Sequence, residues 1–67
     1  MAEFYVEITP QDNGLHVVHN ADCSALPGKE AIYYLGSISN FTSALKKASE
    51  RFIKVNGCSH CAAAYHI

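Results

Sequence analysis

The chain has no apolar run approaching the roughly 20 residues that span a bilayer. It opens Met-Ala-Glu and has none of the basic, then apolar, then small-residue pattern of a secretory leader. Both absences are what a soluble, cytoplasmic protein without a membrane partner would show. An excess of basic charge is missing too: five Lys or Arg against six Asp or Glu give a net charge of −1. General nucleic-acid binders are clearly basic, so tight binding to duplex DNA is not expected. An even complement of cysteines is also lacking. Three cysteines leave one thiol over after any intrachain pairing, and in a reducing compartment a cysteine cluster points to metal or catalysis before disulfides. There is no Ser/His/Asp set, no carboxylate pair and no phosphate-cradling glycine loop, so no enzyme is expected. Internal repeats, low-complexity segments and linkers are absent as well.

What is present must fold with few resources. A chain of 67 residues makes one domain, residues 1–67, and buries only about 60% of the surface its unfolded form exposes. Ordering it costs about 1.5 kcal/mol per residue, which burial at this size barely offsets. Chains of this length often carry a staple, and the cysteines indicate which kind.

Residues 3–9 alternate, with Phe4, Val6 and Ile8 on one face and Glu3, Tyr5, Glu7 and Thr9 on the other, the signature of a half-buried strand. Pro10 ends it, and Gln11-Asp12-Asn13-Gly14 forms a turn. A second strand through Leu15–His19 completes an antiparallel hairpin. Residues 20–30 are rich in breakers and read as a loop. Ala31–Ile38 is β-branched and aromatic enough for a third strand, in which Tyr33 and Tyr34 point to opposite faces, one of them toward the core. Asn40 or Thr42 then caps a helix whose apolar stripe is Phe41, Leu45, Ala48 and Phe52, and Asn56-Gly57 ends it. The expected fold is α+β: a three-stranded antiparallel sheet with one helix, stapled by zinc.

The staple is written as His19-x3-Cys23, thirty-four intervening residues, then Cys58-x2-Cys61. Zinc takes four nitrogen or sulfur ligands at tetrahedral corners. A Cys-x2-Cys knuckle turns tightly enough to supply two, and a distant pair supplies the others. Structural sites of this kind contribute roughly 10–16 kcal/mol that appears as folding energy. With three thiolates and one zinc ion, the net charge moves from −1 to about −2. His66 competes for the fourth position through the spacing Cys61-x4-His66. Period two favours His19: with Leu15 and Val17 toward the interior, His19 points the same way, at the end of a strand leading into the Cys23 loop. His66 is penultimate, where chains fray. His60 lies between the knuckle cysteines and points away, and His16 reads as a surface residue.

Val17-Val18-His19-Asn-Ala-Asp-Cys23, then Leu35-Gly-Ser-Ile-Ser-Asn-Phe41-Thr-Ser-Ala-Leu45, then Gly57-Cys58-Ser-His-Cys61 resembles the metal-binding domain of the Ada methylation-repair family and the wider set of small domains with that layout. The resemblance spans about residues 4–61 and implies their hairpin, strand, helix and zinc site. In that family the first member of the x3 pair is a cysteine that accepts a methyl group from a DNA phosphotriester. Here that position is His19, which is not such a nucleophile, so the repair chemistry is not implied.

Other readings remain open. Cys58-Ser-His-Cys61 has the form of a thiol redox motif, although only six residues follow it, too few for the long helix such motifs begin. Lys47, Arg51 and Lys54 fall at helical spacing and suggest an Ada-like DNA-binding face, which Glu50 interrupts. The outward tyrosine and Tyr5 suit a partner surface. The sequence therefore describes a binding module for an unknown protein or nucleic-acid partner.

Overall fold

The computed structural model describes residues 2–65. Its elements are strand β1 (Ala2–Glu7), strand β2 (His16–Asn20), a single 3-10 turn at Lys29–Ala31, strand β3 (Ile32–Ile38), helix α1 (Phe41–Ser49), strand β4 (Val55–Gly57) and a second 3-10 turn at Ala63–Tyr65. The fold is α+β, but the sheet is four-stranded and mixed, in the order β3-β1-β2-β4. β1 pairs antiparallel with β2 and β3, while β4 runs parallel to β2. The expectation of three antiparallel strands is corrected by β4. Asn56-Gly57 does not end the helix; it lies inside this strand, with Asn56 2% exposed. A three-residue strand has too little alternation to be seen locally, and its pairing with β2 overrides the turn preference of its sequence.

The hairpin forms as its residues require. The Gly14 N–H donates to the Gln11 carbonyl at 2.8 Å, with Gly14 at φ +84, and Asn13 accepts from the Leu15 N–H. β1 stops at Glu7, leaving Ile8 45% exposed and outside the face it was expected to share. β3 carries a bulge. Phe4 faces Gly36 and Tyr5 faces Tyr34, so Leu35 is the extra residue, and Gly36 takes φ +122, open to glycine at little cost.

Both sides of the sheet are covered. On one side Phe4, Val6, Val18 and Leu35 pack against Phe41, Ala44 and Ala48 of α1 and against Ala62. Phe4 and Phe41 meet edge to face at 5.4 Å, and Tyr65 stacks on the far side of Phe41 at 5.1 Å. On the other side Val17 joins Cys23 and Cys58 in a second cluster, with Leu26 and Cys61 packed against it. The expected helical stripe is met at Phe41, Ala48 and the half-buried Leu45. Ala44 replaces Phe52 as a buried member, because the helix ends at Ser49 and Phe52 lies beyond it. Neither Tyr33 nor Tyr34 is core. Tyr33 lies on the helix side but at the rim, against Phe52 and beneath Arg51, and both tyrosines are exposed.

Asn40, not Thr42, caps α1: its side chain accepts from the Ser43 N–H at 2.8 Å. Replacing Asn40 by Ala should cost about 1 kcal/mol, whereas Thr42→Ala should stay within about 0.5 kcal/mol. Urea unfolding of the two variants beside the parent chain checks the assignment, and equal losses would contradict it.

Candidate metal centre

Three local devices bring four side chains to one point. β2 presents His19 on the face it shares with Val17, opposite Val18. The next residue, Asn20, accepts from the Asp22 N–H through its side chain, and its carbonyl accepts from the Cys23 N–H at 3.2 Å. This tight turn folds Cys23 back beside the end of its own strand. From the other end of the sequence, the ladder between β2 and β4 continues one residue further, the Cys58 N–H donating to the Val18 carbonyl at 3.1 Å. The chain then turns, with the Ala62 N–H donating to the Cys58 carbonyl and the His60 N–H to Cys58 Sγ at 3.3 Å. Such a turn aims Cys58 and Cys61 toward the same space.

The result is a cluster of His19, Cys23, Cys58 and Cys61 whose ligand atoms, one from each residue, all lie within 4.8 Å of one another. Cys23 Sγ and Cys58 Sγ are 3.6 Å apart. That is far beyond the roughly 2.05 Å of a disulfide. It is close to the edge of about 3.8 Å expected for thiolates held about 2.3 Å from a central ion in a tetrahedron. All three cysteines are free thiols. His19 is 2% exposed and Cys58 likewise, with Cys23 at 9%.

His19 Nε2 lies 2.6 Å from Glu7 Oε2. An ionised carboxylate only accepts, so Nε2 carries the proton and donates to Glu7. In the neutral ring that a metal ion requires, Nδ1 then holds the lone pair, and it is buried with no hydrogen-bond partner. A buried acceptor left unpaired costs about 1–3 kcal/mol, and a cation among the three sulfurs would satisfy it. A carboxylate behind a ligating imidazole fixes the tautomer and raises its basicity. The donor set and its orphaned nitrogen fit a four-coordinate metal ion.

The thiols are tuned unequally. Burial pushes Cys58 up, but the N–H groups of Cys61 and His60 and the neighbouring thiols outweigh it and bring Cys58 down to about 7. For Cys61 burial prevails, and despite the Asn20 backbone the Cys23 and Cys58 thiols help push it to about 12. One thiol is therefore poised to meet a cation as thiolate, while another gives up its proton only when the cation arrives.

The four residues singled out by spacing are thus gathered. His19 does point to the interior with Val17, both being buried, but that interior is not the side covered by the helix. It is the cluster built by the cysteines themselves. His60 is exposed and enters the site through its backbone N–H. His16 is not a free surface residue: its Nδ1–H donates to the Glu7 carbonyl at 2.9 Å and its ring lies 4.3 Å from that of Phe52. His66 lies outside the described residues. Glu7 escapes the sequence pattern, where it is simply the polar side of an alternating strand. Its signal is the register: Tyr5 stands opposite His19, which makes Glu7 the diagonal neighbour on that face.

The fold and the cluster define a small α+β domain with one histidine and three cysteines grouped to suit a metal ion. No family model, curated protein or solved structure matches the chain.

Two outcomes follow for metal binding. Glu7→Gln should weaken affinity for zinc(II) about tenfold and Glu7→Ala up to about a hundredfold, while Glu3→Gln should leave it unchanged, because the Glu3 carboxylate accepts from the Tyr34 hydroxyl instead of His19. Competition against a chromophoric chelator measures all three, and an unaffected Glu7→Ala would remove Glu7 from the site. Binding near neutral pH should also release more than one proton per ion as the three thiols become thiolates, Cys61 giving up a whole proton and Cys58 only a share. Below about 7 Cys58 carries its proton and must lose it, so release should grow and affinity fall from about pH 8 to about pH 6. Calorimetry in buffers of different ionisation enthalpy reads the count.

Proposed function

We propose that the chain is a small structural zinc module: His19, Cys23, Cys58 and Cys61 hold one zinc ion, and the domain presents its surface to a protein or nucleic-acid partner without catalysing a reaction. The observation that carries the reading is the grouping of His19 with three free thiols, their ligand atoms within 4.8 Å of one another, in a histidine whose Nδ1 is buried without a hydrogen-bond partner. Three soft sulfurs and one imidazole suit zinc among the common divalent ions. A set of four protein ligands leaves no position for water or substrate, which is the mark of structural rather than catalytic sites. The ion would join the first hairpin to the C-terminal segment and supply folding energy of roughly 10–16 kcal/mol. The layout is similar to that of the Ada-type domains, and His19 in place of the acceptor cysteine argues for a module without methyl transfer.

A second reading draws on Cys58, whose thiol at about 7 suits a thiol redox protein. Against it, Cys61 is followed by the single 3-10 turn Ala63–Tyr65 instead of a long helix.

Native mass spectrometry before and after chelation, with NMR on the same samples, separates the two. Zinc binding predicts one ion per chain and loss of spectral dispersion when it is removed. His19→Ala should lose the ion, while His60→Ala and His66→Ala keep it. Loss in His66→Ala with retention in His19→Ala would replace the fourth ligand. A chelated protein that stays dispersed and cycles with a dithiol would replace the zinc reading by the redox one.

A further inference from the structure

We propose that the free edge of β3 takes up an extended, acidic segment of a partner protein as a fifth strand. The inference rests on the reading of the domain as a metal-held module that presents a surface, and it names the partner's chemistry.

The strand order places β3 at the outside of the sheet, and among the described residues no backbone hydrogen bond is made across its outer side. At seven residues it is the longest strand, and Ile-Tyr-Tyr-Leu-Gly-Ser-Ile contains neither a charge nor a proline. Those are the devices by which edge strands are normally kept from pairing. One device is present, the bulge at Leu35, but Ile32–Tyr34 remain in regular register with Glu7, Val6 and Tyr5. This half of the edge is the part that meets a cleft of about 310 Å³, lined by Tyr33, Tyr34, Leu35, Lys47, Glu50 and Arg51. Tyr33 and Tyr34 come from opposite faces of the sheet, so the cleft opens at the edge itself. Both rings are exposed, at 36% and 51%.

Charge selects the occupant. The chain's net charge of −1 conceals a strong polarity. Lys46, Lys47, Arg51 and Lys54 are four of its five cations, and against Glu50 they leave +3 in residues 46–54; Lys29 against the remaining five acids leaves −4 elsewhere. None of those four cations forms an ion pair among the described residues. Arg51 lies over the Tyr33 ring at 4.6 Å, which holds its charge at the rim of the cleft. It also lines a second cleft of about 480 Å³ with Phe52, Ile53 and Lys54, where Ile53 is 97% exposed. Beside the β3 edge itself, Lys47 and Arg51 supply cations and Tyr33 and Tyr34 exposed rings. A peptide of alternating acidic and apolar residues matches it: its backbone completes the ladder, one side chain in two meets Lys47 and Arg51 beside Tyr33, and the others meet Tyr34 on the opposite face. A second copy of this chain would bring Lys47 and Arg51 against their own counterparts. A nucleic acid has phosphates for the cations but no backbone donors and acceptors at the spacing of a strand.

The test uses the full chain loaded with zinc(II) and four probes: a capped octapeptide alternating glutamate and valine, the same peptide with lysine for glutamate, the glutamate peptide N-methylated at alternate residues to block the edge that pairs, and a random single-stranded oligodeoxynucleotide. NMR titration should move the amides of Ile32–Leu35, Lys47 and Arg51 with the glutamate peptide. The lysine peptide should bind about tenfold more weakly or not at all, as should the glutamate peptide to the double variant Lys47→Glu, Arg51→Glu. Alternate N-methylation should abolish binding. Equal binding of the lysine or N-methylated peptides, shifts centred away from β3, or tighter binding of the oligonucleotide would each overturn the proposal. So would a dimer in sedimentation whose interface protects the β3 amides. Failure of the glutamate peptide on protein that is metal-loaded and well dispersed sinks this proposal and leaves the zinc reading standing. A protein equally dispersed without metal sinks the zinc reading whatever the peptide does.

Discussion

Val55, Asn56 and Gly57 lie parallel to His16, Val17 and Val18, and the pairing runs on through the Cys58 N–H to the Val18 carbonyl. Everything that brings the two ends of the motif together passes through this short ladder. Parallel strands need a long crossover, and here the crossover contains β3 and α1. The docked helix and the placing of Cys58 beside His19 are therefore parts of one arrangement. Gly57 belongs to the same constraint. A Cβ there would lie 2.8 Å from Tyr65 Cβ and 2.9 Å from the Tyr65 backbone, so the segment after the knuckle packs on β4 only because that position has no side chain. Tyr65 in turn reaches Phe41, and the C-terminal turn, the helix start and the histidine–cysteine cluster are tied by one close approach.

The sheet works as a partition. Its helix side is an ordinary apolar core, held by Val6, Val18, Ala44 and Ala48, all fully buried. Its other side carries, among the described residues, a smaller apolar cluster of Val17, Leu26 and the cysteines, and burial at about 25 cal/mol per Å² contributes correspondingly less there. A metal ion held by the cysteines and His19, as proposed, substitutes there for the missing apolar mass. The arrangement also explains why both Val17 and Val18 are buried in a strand that would otherwise be half-exposed.

Local features are legible in the sequence and non-local ones are not. The hairpin, the third strand and the helix follow from period and turn chemistry within short windows. The cluster follows from the intervals between His19 and Cys23 and between Cys58 and Cys61, each of which one turn closes. β4 is hidden because Val-Asn-Gly has no alternation and Asn-Gly carries a strong turn preference, overcome only by a partner strand about forty residues earlier in the chain. Glu7 is hidden for a related reason. Whether an acid on a strand faces water or a histidine depends on register, and the register here is fixed by the length of the Gln11–Gly14 turn. Tyr33 and Tyr34 mislead because a bulge and a free edge place both at the rim, although they do alternate between faces.

The turn at Asn20 and the N–H···S turn at Cys58 have a consequence for assembly as well as for the finished site. For the zinc ion proposed above, each would be a half-site built from its own few residues, and an unfolded chain would carry two weak chelators. An ion caught by either one converts the meeting of the two into closure of a single loop, whose entropic cost grows only with the logarithm of its length. The same capture lowers the free energy of the unfolded state and so subtracts from the stabilisation the ion gives. A chain that bound the proposed ion in this way would gain speed and give up some depth: the ion would guide the ends to each other early, and less of its affinity would be left to separate folded from unfolded.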